Sequence, residues 1–111
     1  MKIAVTAAIP RFRDAPIDPL FGRCNYFLIV ETDDMSFEVV ENEYAKLGED
    51  AGMESAKFVA SKGVKAVLTG SCGSKVSKFL TSLSINVIVG VRGAAKDAVE
   101  NFITGEWDAP S

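Results

Sequence analysis

The chain contains no histidine. That absence excludes His-based catalytic triads, the His-x-Glu deaminase site and the commonest zinc ligand sets. Its two cysteines, Cys24 and Cys72, are too few for a disulfide framework or for a four-ligand zinc site within one chain. No apolar run approaches the roughly 20 residues that a membrane-spanning helix needs. Met1-Lys2 followed by Ile3 to Ile9 has the outline of a signal peptide, but the run is short and has no convincing cleavage site. It is read as a first β-strand, and the protein is expected to be cytoplasmic. Long like-charge runs and low-complexity segments are also missing. The net charge of −3 argues against general nucleic-acid affinity.

Several chemical motifs are absent as well. The stretch Gly70-Ser-Cys-Gly-Ser-Lys75 lacks the Gly-x-x-x-x-Gly-Lys spacing of a Walker loop. No Gly-x-Gly-x-x-Gly dinucleotide fingerprint occurs. A tyrosine-phosphatase-like loop would need an arginine where Lys78 stands. Lys2 to Ile9 carries no carboxylate, so a magnesium-dependent nuclease site on the first strand is not expected. The protein is therefore read as non-enzymatic.

What is present fits one α/β domain with a modest core over 111 residues. Lys2–Ile9 and Tyr26–Val30 are apolar without alternation, as in strands buried on both faces. Phe37–Glu41 is shorter and more charged, which suits an edge strand joined to the second by a hairpin. Helix and strand then alternate. A helix over Asp50–Ser61 stops near Gly63, and strand Ala66–Thr69 follows. The next helix should bury Val76, Phe79, Leu80 and Leu83. Strand Ile85–Val89 precedes a last helix with Ala94, Ala95, Ala98, Val99, Phe102 and Ile103 on one face. Residues 1–106 are read as a single domain and 107–111 as a tail in which Trp107 packs back on the core.

Special residues gather at one predicted edge. In open α/β sheets, ligands bind outside the carboxyl ends of the strands. That edge receives the long connection from Pro10 to Cys24, Asn42 after the third strand, and two strand–Gly-x-x-Gly–helix turns at Gly70/Gly73 and Gly90/Gly93. Both helix N-termini are expected to offer free N–H groups there. All four arginines, Arg11, Arg13, Arg23 and Arg92, fall in these loops, whereas the lysines are dispersed. Such an edge suits an anion. Cys72, with Ser71 beside it, sits in the first turn, where a helix N-terminus should lower a thiol pKa.

The residues Asp18-Pro-x-Phe21-Gly22-Arg23-Cys24-x-Tyr26-Phe27, then Asn42, then Gly63-Val64-x-Ala66-Val67-Leu68-Thr69-Gly70-x-Cys72-Gly73, then Phe102-x-x-Gly105-x-Trp107 resemble the dinitrogenase iron–molybdenum cofactor biosynthesis family. That family includes nitrogenase accessory factors and orange-protein-like small proteins. The resemblance implies a ribonuclease-H-like α/β fold: a mixed five-stranded sheet of order 3-2-1-4-5, strand 2 antiparallel, with helices on the faces. It implies a carrier that binds an iron–molybdenum or other molybdenum, iron or copper sulfide cluster, or its precursor. Carried over by position, the site includes Phe21, Gly22, Arg23, Cys24, Asn42, Gly70, Cys72, Gly73 and Gly93. The arginines, Ser71 and Gly90 join it from the edge reading. Cys72 and Cys24 are the candidate metal ligands. Several relatives have histidine where Ser71 stands, proline at Ser74, and a Thr-Val pair at Ala94-Ala95.

Three readings stay open at this point. The first is a non-enzymatic cluster carrier, a monomer or weak homodimer that meets cofactor-assembly proteins and neither nucleic acid nor membrane. The second is a thiol redox or sensing protein using Cys72 and Cys24. The third is a regulatory domain binding a small anion or a protein through the same edge.

Overall fold

The computed structural model describes residues 1–105; the Trp107 expectation and the 107–111 tail lie outside the described residues. Strands β1 (Lys2–Ala7), β2 (Tyr26–Glu31) and β3 (Phe37–Glu41) come first. Helix α1 (Ala51–Ser61), strand β4 (Ala66–Leu68), helix α2 (Ser74–Ser82), strand β5 (Asn86–Ile88) and helix α3 (Ala95–Thr104) follow. The sheet order is β3-β2-β1-β4-β5, with β2 antiparallel to both neighbours and β4 and β5 parallel to β1. This is the expected mixed sheet.

The unalternated apolar strands are explained by two cores. Successive side chains of a strand point to opposite faces. Ile3, Val5 and Ala7 of β1, with Leu28, Val30 and Leu68, pack beneath Ala95, Ala98 and Val99 of α3. Ala4, with Phe27, Ile29 and Val67, packs beneath Ala56 and Val59 of α1 and Leu80 of α2. Each fully buried Val or Leu contributes roughly 1.5–3 kcal/mol relative to exposure, so both faces matter to stability. Strand β3 is largely exposed, as an edge strand with charged residues should be.

The element ends differ from expectation for local reasons. β1 stops at Ala7 because the Ala8 N–H turns to the Pro16 carbonyl, 3.1 Å away, in the long connection. α2 ends at Ser82, and Ser84 takes φ = 64°. Leu83 therefore lies outside the helical stripe and is 50% exposed. Ile103 is likewise exposed, and Ala94 is the residue before α3 rather than part of its buried face. Gly63, at φ = 78°, provides the stop after α1.

Candidate functional site: two hollows at the carboxyl edge

The long connection from Ala8 to Asn25 is stitched across the ends of the parallel strands. Its Asp18 N–H donates to the Thr6 carbonyl of β1 (3.0 Å), and its Phe21 N–H donates to the Ser71 carbonyl after β4 (3.1 Å). Its Ile17 N–H donates to the Gly93 carbonyl after β5 (3.0 Å). Three prolines, Pro10, Pro16 and Pro19, fix φ along this path and lower the entropy lost on ordering it.

Two close approaches bring its second half down onto the core. A Cβ at Gly70 would stand 2.7 Å from the Pro19 backbone, and one at Gly22 would stand 2.5 Å from Gly52 Cα at the start of α1. Both positions need glycine for space. The ridge formed by Pro19, Leu20 and Ser71 then separates two hollows over the parallel strands, and a third, of about 610 Å³, lies beyond them between the end of β1 and the end of β3.

The smaller hollow, of about 250 Å³, is bounded by Leu20 to Arg23, by Ser71, Cys72, Gly73 and Val76, and by Gly48, Glu49, Ala51 and Gly52. The starts of α1 and α2 both face it. Gly73 caps α2 without any side-chain bond to the helix, so the first N–H groups of α2 are open. The partial positive charge of a helix N-terminus and the exposed Arg23 guanidinium meet there, with Glu49 as the one acidic residue of the lining. A Cβ at Gly52 would stand 3.0 Å from Val76 Cγ2, so the two helices approach closely here.

Cys72 borders this hollow and is half-buried against the α1/α2 core. Burial pushes its thiol pKa up, and a hydrogen bond with the Ser77 hydroxyl opposes this only in part. The expected lowering is thus corrected: the thiol is raised, and loss of water on burial is the larger cause. Cys24 is fully buried and lines neither hollow. Burial, followed by the nearby Asp18 charge, pushes its thiol far above the ordinary range, against a bond from Asn42. Both thiols are free.

The larger hollow, of about 650 Å³, is bounded by Asp14, Pro16, Ile17 and Pro19, by Gly70 and Ser71, and by Gly90 to Ala94. Arg92 stands on it. Here the second helix N-terminus is not free as expected. The Ala95 N–H donates to the Ala15 carbonyl (2.8 Å) and the Lys96 N–H to the Phe12 carbonyl (3.1 Å). The turn itself is engaged too, through Gly90 N–H to Gly70 carbonyl (2.8 Å) and Val91 N–H to Thr69 carbonyl (3.1 Å). The long connection caps α3 with its own backbone.

The predicted residues thus separate into groups. Arg23, Gly22, Ser71, Cys72 and Gly73 meet at the small hollow; Gly70, Gly90, Arg92 and Gly93 belong to the large one, with Ser71 common to both. Phe21 is 2% exposed and packs on Phe27 at 5.5 Å, so it is an anchor rather than a contact surface. Asn42 is buried behind the Gly22–Cys24 turn and lines the third hollow rather than either of these two. Arg11 is paired with Asp14 at 3.3 Å, and Arg13 is exposed on the long connection outside both linings. Sequence reading missed Gly52 and Glu49 at the small hollow. The only local signal was a glycine one residue inside a helix start.

Among the described residues, no group of three or more Cys, Asp or Glu side chains could hold a metal ion. The N–H groups and the guanidinium at this edge are of the kind that recognise the outer atoms of an anion.

The family model described as dinitrogenase iron-molybdenum cofactor matches residues 1–105. The solved apo form of the orange protein from Desulfovibrio gigas is 32% identical, covering 99% of this chain and 95% of that one, with a TM-score of 0.89. The solved structure of PH0822 is 29% identical over 98% of this chain and 96% of its own, with a TM-score of 0.82. Among curated proteins, the uncharacterized protein MJ0580 of Methanocaldococcus jannaschii is 28% identical over 95 residues, 83% of this chain and 80% of the relative.

Proposed function

We propose a function from one premise: the chain belongs to the dinitrogenase iron-molybdenum cofactor family, whose model spans residues 1–105. The protein is a cytoplasmic, non-enzymatic carrier for an anionic molybdenum, iron or copper sulfide cluster, or a precursor of one, which it exchanges with cofactor-assembly proteins. The observation that carries this reading is the small hollow. It joins the uncapped start of α2, Arg23 and the half-buried Cys72, where the described residues supply no complete set of metal ligands. The cluster's own sulfides would fill its metals' coordination. The protein then supplies hydrogen bonds, positive field and at most one thiolate, formed only if a soft metal displaces the Cys72 proton.

The thiol redox reading has no support from the geometry. Cys24 is sealed in the core, and burial pushes both thiol pKa values up. The larger hollow adds room beside the anion site, with Arg92 as a second cation at its far side.

The test is an anaerobic titration of metal-free protein with tetrathiomolybdate, with and without copper, and with iron–sulfide mixtures. Bound metal is counted after gel filtration and charge-transfer absorption is followed. Stoichiometric, retained colour is expected, weaker in Arg23→Ala and spectrally shifted in Cys72→Ser. No retained metal from any mixture would remove the carrier reading and leave binding of a simple anion or a protein at this edge.

A further inference from the structure

Four polar side chains are buried among the described residues: Thr6, Asn42, Ser55 and Thr69. They come from four different segments, yet each reaches a backbone carbonyl of the long connection or of the β4–α2 turn. Thr6 Oγ1 donates to the Asp18 carbonyl at 2.8 Å and lies 3.1 Å from Thr69 Oγ1, which is 3.5 Å from the Ser71 carbonyl. On the other side of the ridge, Asn42 Nδ2 donates to the Cys24 carbonyl at 3.0 Å and lies 3.4 Å from the Gly22 carbonyl. The Ser55 hydroxyl lies 3.4 Å from that same carbonyl and 3.3 Å from Asn42 Oδ1.

An apolar residue of equal shape would suit each of these positions if only packing mattered. A buried hydroxyl without a partner costs about 1–3 kcal/mol, so polar side chains persist here because they meet these carbonyls. Asn42 is itself fixed, its Oδ1 accepting the Tyr44 N–H at 3.1 Å. Ser55 stands one helical turn after Gly52, so α1 meets the Gly22 turn with a close backbone approach and a hydroxyl on one face.

We infer that these side chains form two buried latches that set the backbone of the small hollow, and that Ser55 and Thr69 are positioning residues for the anion it takes. The inference rests on the cluster-binding reading. Its mechanism follows from peptide planarity. A carbonyl and the next N–H point in opposite directions across a trans peptide. Holding the Ser71 carbonyl toward Thr69 and the Phe21 N–H turns the Cys72 N–H away from them. The Gly22 and Cys24 carbonyls, drawn inward by Asn42 and Ser55, are kept from presenting negative charge to the anion. The cargo then meets donors already aimed, with little ordering left to do on binding.

The experiment measures site-resolved amide hydrogen exchange and tetrathiomolybdate affinity in the whole chain, for the parent, Thr69→Val, Thr69→Ser and Ser55→Ala. Thr69→Val should speed exchange of the Phe21 N–H, which bonds the Ser71 carbonyl, and Ser55→Ala that of the Arg23 N–H in the Gly22 turn, by about tenfold or more while the α3 core keeps its protection. Thiomolybdate should bind about fivefold more weakly in both variants, and Thr69→Ser should restore the parent behaviour. Unchanged exchange in both turns overturns the latches. Faster exchange with unchanged affinity overturns their positioning role. A parent that binds no thiomolybdate sinks the carrier reading instead, and the latches are then judged by exchange and by the Thr69→Ser rescue alone.

Discussion

The two strand–Gly-x-x-Gly–helix turns look equivalent in sequence and end up in opposite states. After β4, Gly70 is needed for space against Pro19, a Cβ at Gly73 would meet only open space, and α2 begins without a side-chain cap. After β5, Gly90 and Gly93 are needed for their positive φ of 75° and 87°, and α3 begins under the carbonyls of Phe12 and Ala15. One turn keeps its helix terminus for a ligand. The other gives it to the fold, anchoring the long connection that builds the first turn's walls. A repeated local motif therefore does not imply a repeated function; the difference lies in what distant chain is laid across it.

The sharpest way to break this comparison is to fill the spaces on which the open turn depends. Gly70→Ala and Gly22→Ala place a methyl into backbone and should each cost about 3 kcal/mol, read as a lower urea midpoint. Gly73→Ala meets open space at an ordinary φ of −58° and should change stability by no more than about 0.5 kcal/mol. A costly Gly73→Ala would mean that the turns differ less than their geometry indicates. On the closed turn, Gly93→Ala should cost about 1–2 kcal/mol through its left-handed backbone while leaving thiomolybdate affinity near the parent value.

A smaller effect separates the two hollows by charge. Arg23→Ala should raise the thiomolybdate dissociation constant about tenfold, the scale of one charge-assisted hydrogen bond, and reduce its salt dependence. Arg92→Ala, facing the closed turn, should change it by about twofold. Equal losses would mean that the anion spans both hollows.

A further prediction concerns pH. The folded Cys24 thiol has a raised pKa, whereas an unfolded thiol ionises near about 8.5. Below that value both states keep the proton and the contribution is complete. Above it only the unfolded chain releases the proton, so stability should fall by up to about 1.4 kcal/mol per pH unit. Urea midpoints taken between about pH 7 and 10 should show this slope in the parent and a shallower one in Cys24→Ala. Parallel slopes would contradict the burial argument.

Much of this was legible in the sequence because it rests on short-range patterns. The unalternated runs at Lys2–Ile9 and Tyr26–Val30 state burial on both faces, and the charged Phe37–Glu41 states an edge. The gathering of Arg23, Ser71, Cys72 and Gly73 followed from topology. What was not legible depends on long-range contacts. Nothing near Ala95 or Lys96 announces that carbonyls of Phe12 and Ala15 will cap them. Nothing near Cys72 shows how deeply its thiol will pack, so a local helix-dipole argument gave the wrong sign. Leu83 fitted the helical spacing, but Ser84 turns the chain out before it can be covered. Ser55 carries no motif, and its role exists only where α1 meets the Gly22 turn.

The most direct test of the open-turn account is an NMR titration of isotope-labelled protein with tetrathiomolybdate under anaerobic conditions. The account predicts saturable amide shifts concentrated at residues 71–76 and 21–23, with residues 93–97 at the start of α3 changing little. Shifts centred on residues 91–96 and sparing the start of α2 would contradict it.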